Sequence, residues 1–161
     1  MRYSFFKPVL ILSVTLLCSF TFFQIGKNEL LLDMLMSALN QAHYNPLKIN
    51  DEFSEKAFNL YLKRIDTNKK FLLQSDIDEM SKYRREIDDE VNNGSFEFYN
   101  LSAEIIAKRI KEKENWTKEI LANPLNYQEN DEYESDGDKT KYANSEAELK
   151  GEWKKMLKYS I

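Results

Sequence analysis

One cysteine, one histidine, three prolines and four glycines are all that a chain of 161 residues holds of these types. The lone cysteine, Cys18, forbids an intramolecular disulfide, so stability has to come from packing. With His43 as the only histidine, a His-based metal site would need carboxylates or another chain to complete it. A residue that closes a helix and bonds its last carbonyls is the plainer reading of His43. So few glycines and prolines do not suit a many-stranded, turn-rich β fold. Gly26, Gly94, Gly137 and Gly151 stand singly, which leaves no Gly-rich loop to cradle a phosphate and no Gly-x-Ser-x-Gly nucleophile turn. Basic residues are also outnumbered: 23 Lys and Arg against 27 Asp and Glu give a net charge of -4. Arg2 and Lys7 are the only charged residues before Lys27, so the rest of the chain is more acidic still. Such a body repels phosphate backbones, and no nucleic-acid partner is expected.

What is present points to helices. With 42% hydrophobic and 31% charged residues the chain is no disordered polyelectrolyte. Residues 1–26 read as an export signal or N-terminal anchor, with Arg2 and Lys7 ahead of an apolar run from Val9 to Phe23. That run is shorter than the roughly 20 residues a spanning helix needs, although Pro8 to Gly26 is uncharged throughout, so an uncleaved anchor stays open beside a cleaved leader. Ser19-Phe20-Thr21 is the best cleavage site on offer, and bulky Leu16-Leu17 before Cys18 disfavours lipidation. Such a leader is expected to carry the protein out of the cytoplasm.

Beyond the signal, Asn28 to Ala42 is a helix apolar over more than half its circumference, ended by His43-Tyr44-Asn45-Pro46. A second helix spans Asp51 to Ile65, with Phe53, Ala57, Phe58, Tyr61 and Ile65 on one stripe, and Asp66-Thr67-Asn68 supplies a turn. Ser75-x-x-Asp78 is expected to open a third, carrying Ile77, Met80, Tyr83, Ile87 and Val91 up to the stop Asn92-Asn93-Gly94. Ser95 is expected to cap a fourth, Phe96 to about Ala122, ended by Asn123-Pro124. Leu125 to Asn144 lacks period and is dense in Asn, Asp and Glu, the pattern of an extended or mobile connection that serves a function or drapes along a partner. Ser145-x-x-Glu148 then opens a last helix with Leu149, Trp153, Met156 and Leu157 on one face.

The fold class expected is therefore all-α, about five helices in an irregular bundle. A helical domain over 27–124 is followed by an acidic linker over 125–144 and a terminal amphipathic helix over 145–161.

Candidate chemistry is sparse. Glu132-x-Glu134-x-Asp136-Gly137 has the start of a calcium-binding loop, but Ala143 stands where the bidentate Glu belongs. Asp88-Asp89-Glu90 are adjacent on a helix, point in different directions and cannot converge as acid and base; a solvated face is the expectation. Nothing marks one Ser or Lys above the others. No catalytic residue, metal ligand or cofactor is assigned, and the Tyr and Phe residues at helical spacing read as core.

The order of several short motifs nevertheless resembles the N-terminal helical region of the tail-specific, or carboxy-terminal processing, proteases. They are His43-Tyr44, Asp51-x-Phe53-Ser54, Tyr61-Leu62-x-x-Ile65-Asp66 and Phe71-Leu72-Leu73-x-Ser75-Asp76-Ile77. Ile87-Asp88-Asp89, Tyr99, Arg109, Glu146-Ala147-Glu148-Leu149-x-x-x-Trp153 and Lys158 continue the series, which covers about residues 28 to 159. Asn126-Tyr127 departs from the Asp-Phe common in the family, and the linker is unusually acidic.

The resemblance implies a periplasmic serine endopeptidase with a Ser-Lys dyad that recognises apolar C-terminal tails through a PDZ domain and degrades envelope proteins. Some members work with lipoprotein adaptors. Both the PDZ domain and the dyad lie downstream of this region in the family, so the chain is expected to lack the catalytic core and to have no activity alone. Leu149, Trp153, Met156 and Leu157 are the residues expected to face partners, among them the downstream PDZ and peptidase domains. A free-standing exported helical adaptor or binding module without catalysis is the alternative.

Overall fold

The computed structural model describes residues 27–42 and 48–161. The export signal of residues 1–26, with Cys18, and the helix end at His43-Tyr44-Asn45-Pro46 lie outside the described residues. Helices dominate, and among the described residues the only β pairing is one isolated parallel bridge, Leu73 to Ala143. The chain divides into two compact units, residues 1–46 and 47–161.

The described part of the first unit is one helix, α1 (Lys27–Ala42), with Leu30, Leu31, Met34, Leu35 and Leu39 exposed. No helix among the described residues is long and apolar enough to cross a membrane.

The second unit contains α2 (Asp51–Ile65), α3 (Gln74–Met80), a 3-10 turn (Ser81–Tyr83), α4 (Ile87–Asn93), α5 (Glu97–Leu121) and α6 (Glu146–Ser160). Ser54, Phe58 and Leu62 of α2 recur every four residues and are all buried. Phe58 and Leu62 meet Leu72, Ile77, Met80, Phe98 and Ile105 in one core. Phe98 sits at its centre, with ring centroids 5.4 Å from Phe58 and 5.1 Å, edge-on, from Tyr61. Tyr61 and Ile87 pack on this cluster while half-buried.

Local chemistry sets the helix ends and corrects several expectations. Asn50, one residue ahead of Asp51, caps α2 by accepting the Phe53 N–H at 3.1 Å. Helix α3 has its N-cap at Leu73 rather than Ser75, where the Asp76 carboxylate reaches back to accept the Leu73 N–H at 2.8 Å. The single third helix expected from the spacing is broken in two. After Met80 the backbone tightens, with the Arg84 and Glu86 N–H groups bonding three residues back to Ser81 and Tyr83. Helix α4 then restarts with the Asp88 N–H turned onto Ser54 Oγ at 2.8 Å. Apolar periodicity alone does not register such a break, since Met80 and Ile87 both still reach the core.

Gly94 ends α4 as expected, at φ 69°, a left-handed conformation that other residues adopt at a cost. Ser95 does not cap α5. Glu90 of α4 does so, accepting the Phe98 N–H at 2.8 Å.

Residues 122–145 hold no helix, as expected, but they are seated on the body rather than reaching away from it. A Cβ added at Gly137 would run into the Thr67 carbonyl oxygen and lie 2.8 Å from Asn68 Oδ1, so glycine is what allows this close approach. Further along, Lys69 Nζ donates to the Thr140 carbonyl at 2.5 Å, and the Gln74 N–H donates to Ala143 at 2.9 Å. Near its start the linker meets α6: Glu129 lies 3.8 Å from Lys154, and Glu129 and Asp131 both pair with Lys158.

Candidate functional site

The chemically dense part of the second unit is a polar joint where the loop after α2, the start of α3, the middle of α5 and α6 converge. Asp66 ends α2 and is buried; it accepts the N–H groups of Lys70 at 2.7 Å, Phe71 at 3.0 Å and Leu72 at 2.9 Å. That single carboxylate closes the 66–72 loop, within which Lys69 takes a positive φ of 52°.

Four residues after Leu72, Asp76 receives both prongs of Arg109 from α5, with Nε to Oδ2 at 2.7 Å and Nη2 to Oδ1 at 2.8 Å. Arg109 is 3% exposed, and its remaining nitrogen, Nη1, reaches Glu112 at 2.7 Å and Glu146 of α6 at 3.4 Å. Hydrogen bonds to Asp76 and then Glu112 outweigh burial and hold the guanidinium firmly charged.

One turn further along α5 stands Lys113, 3% exposed, with no hydrogen-bond partner for Nζ among the described residues. Its amine lies 4.5 Å from the Trp116 ring centroid and 4.8 Å from that of Trp153. Burial pushes it down to about 8; nearby Asp66 opposes that, while Arg109 adds to it. Trp153 is fixed from two sides, by an edge-on contact with Phe71 at 5.5 Å and by Nε1–H donating to Thr117 Oγ1 at 2.9 Å.

Helix α6 enters this joint through the expected Ser145 cap, whose Oγ accepts the Glu148 N–H at 3.2 Å. Glu148 in turn accepts the N–H of Asn144, one residue before the position a capping box would use.

These positions decide where the expected partner-facing residues fall. Leu149 does not face outward: at 1% exposure it is enclosed by Leu73, Ala143 and Trp116, because the linker returns α6 to the body. Trp153 is half-buried and spent on Phe71, Thr117 and Lys113. Met156 and Leu157 are half-buried.

No activated nucleophile emerges from this geometry. Ser54 bonds Asp88 at 2.5 Å and Ser102 bonds Tyr61 at 2.7 Å, so both buried serines hold helices together. Lys113, the lysine whose amine is driven furthest toward neutrality, has no serine hydroxyl bonded to it. Among the described residues no group of three His, Cys, Asp and Glu could hold a metal ion. In the stretch resembling a calcium loop, Glu134 accepts the Asp136 N–H and Asp136 accepts that of Asp138, so those carboxylates order their own turn. The acidic triplet is not simply a solvated face: Asp88 is buried on Ser54 and Glu90 caps α5, leaving Asp89 exposed.

Lys113 carries no sequence signal of its own, and Ser54 and Asp88 fall in two separate motifs, Asp51-x-Phe53-Ser54 and Ile87-Asp88-Asp89, with nothing in the spacing to pair them. The buried stripe of α5, Phe98, Ser102, Ile105, Arg109 and Lys113, runs at helical spacing, so extending the stripe through its polar members would have found the lysine.

Comparison with known proteins gives this joint a family. The chain is 33% identical over 128 residues to a protein named tail-specific protease from Haemophilus influenzae, a match covering 76% of this chain and 18% of that protein. The chain thus spans less than a fifth of the length of this curated relative. Residues 35–161, which take in every element of the joint, match the family model of the tail-specific protease N-terminal domain, and the chain belongs to that family.

Proposed function

We propose that the chain is the helical scaffold of a periplasmic C-terminal processing serine endopeptidase, the portion that shapes substrate entry and offers a docking face. The observation that carries this reading is how the motifs of the resemblance are spent. Ser54 locks α2 to α4, Asp66 closes the loop after α2, Asp76 and Arg109 join α3 to α5, and Trp153 fixes α6 to α5. A region whose distinctive polar residues are consumed in joining helices supplies shape rather than chemistry. The apolar leader with Arg2 and Lys7 supports export.

On this reading the Ser-Lys dyad and the PDZ domain belong to downstream sequence, the substrates are envelope proteins with apolar C-terminal tails, and a lipoprotein adaptor is a further partner. Met156 and Leu157, the two stripe residues of α6 that the joint does not consume, are proposed to meet the downstream domains.

A graft tests this. Residues 27–161 replace the corresponding N-terminal region of the Haemophilus influenzae protease, and cleavage of an unfolded protein with an apolar C-terminus is followed. The chimera is expected to cleave. A folded, soluble chimera that binds but does not cleave, beside an active parent, would contradict the scaffold reading.

A further inference from the structure

Lys113 is enclosed on all sides by named groups, yet its ammonium finds no acceptor. Trp116 faces it from its own helix, with Arg109 and Glu112 one turn and one residue before it. Asp66 faces it from the loop after α2. From α6 come the Trp153 indole and, through Arg109, the Glu146 carboxylate. Tyr142 of the linker, also beside Asp66, is pushed up to about 12, chiefly by burial, and stays neutral across the ordinary pH range.

The wall that α6 contributes is held mostly by partly exposed polar and aromatic contacts, Trp153 to Thr117 and Phe71, Glu146 to Arg109 and Lys150 to Glu119. Leu149 is its one buried residue, whereas α2 to α5 share a core of seven buried side chains. A buried donor without an acceptor is costly, and two indole faces offset only part of that cost. Removing α6 lifts one of those faces and opens the amine to water.

We propose that the seating of α6 on α5 is a proton-linked latch, in which closing Trp153 over Lys113 favours release of the proton from that enclosed amine. With α6 raised, the amine is solvated and titrates near the ordinary lysine value of about 10.4. With α6 seated, burial brings it to about 8. Between these values the seated state holds fewer protons, so the latch tightens as pH rises through that window and is weakest below it.

Hydrogen exchange in residues 146–160 of the full chain, at pH 7 and pH 9 and corrected for the intrinsic rate, reads the latch directly. Protection in α6 is expected to rise about tenfold, while protection around Phe98 to Ile105 of α5 stays unchanged. Lys113→Met, which keeps length and apolar bulk between the indoles, should abolish the rise and give high protection at both pH values. Flat protection in the parent chain, or a rise that survives in Lys113→Met, would overturn the proposal. Should that variant fail to fold, the Lys113 Cε resonance of the parent chain decides: titration near 8 supports the latch, and titration at the ordinary lysine value overturns it.

Discussion

Arg109 and Asp76 face each other across the α3–α5 contact as a two-pronged ion pair, at 2.7 and 2.8 Å, with both side chains below a tenth exposed. Leaving one member of such a pair alone in the interior costs about 3 to 5 kcal/mol, more than the pair gains over an apolar replacement. Arg109→Met and Asp76→Leu should therefore each destabilise the second unit by about that amount in urea melts. The double variant should recover much of the loss. Additive losses would mean that the pair is not mutually compensating.

Ser54 and Asp88 exchange two hydrogen bonds, Oγ–H to Oδ1 at 2.5 Å and the Asp88 N–H to Oγ at 2.8 Å. Ser54→Ala strands both a buried N–H and a carboxylate oxygen, a loss of about 1 to 3 kcal/mol. The same melts measure it, and amide protection over residues 87–93 should fall with it. An unchanged midpoint would mean that solvent replaces the hydroxyl.

Gly137 is held against the backbone of Thr67 and Asn68, with no room for a Cβ. Gly137→Ala should push the linker off the turn that follows α2. Limited proteolysis is expected to cut within residues 125–144 several times faster than in the parent chain. Equal cutting rates would mean that the linker is not seated there.

Glu90 caps α5 yet stands near Glu97 and Glu86, and burial first, then those charges, raise its carboxyl above the usual range. Because the folded state holds the proton more tightly than the unfolded one, this group favours folding below the ordinary carboxylate value. That contribution is lost as pH rises through the raised one. Glu90→Gln keeps the acceptor for the Phe98 N–H without the charge, so at pH 7 it should be neutral or stabilising. Glu90→Ala should cost about 1 kcal/mol, as removal of a helix cap does. A destabilised Gln variant would show that the charge itself matters to α5.

The apolar stripes of α2 and α5 are legible in the sequence because burial repeats every three or four residues along them, and both helices begin and end within two residues of where that spacing puts them. What spacing could not show was which polar side chains join one helix to another. Glu90 displaced Ser95 as the cap of α5, and Asp76 displaced Ser75 as the opener of α3. The hydrogen bond that Asp88 gives Ser54 interrupts what reads as one continuous helix.

The burial of Leu149 is hidden from the sequence for a similar reason. Its stripe is apolar in either setting, and only the seating of Gly137 and Ala143 on the body reveals that the linker brings it home. Lys113 is not legible as buried because a lysine on a long helix reads as solvated, and the two tryptophans that enclose it, Trp116 and Trp153, lie on different helices.

The proposed scaffold role means that this region supplies shape and no peptide-bond chemistry. It is tested most directly by incubating the purified chain, residues 27–161, with an unfolded protein ending in an apolar C-terminal tail and following new termini by mass spectrometry. No turnover is expected. Turnover that tracks the chain through purification and disappears when one of its serines or lysines is substituted would contradict it.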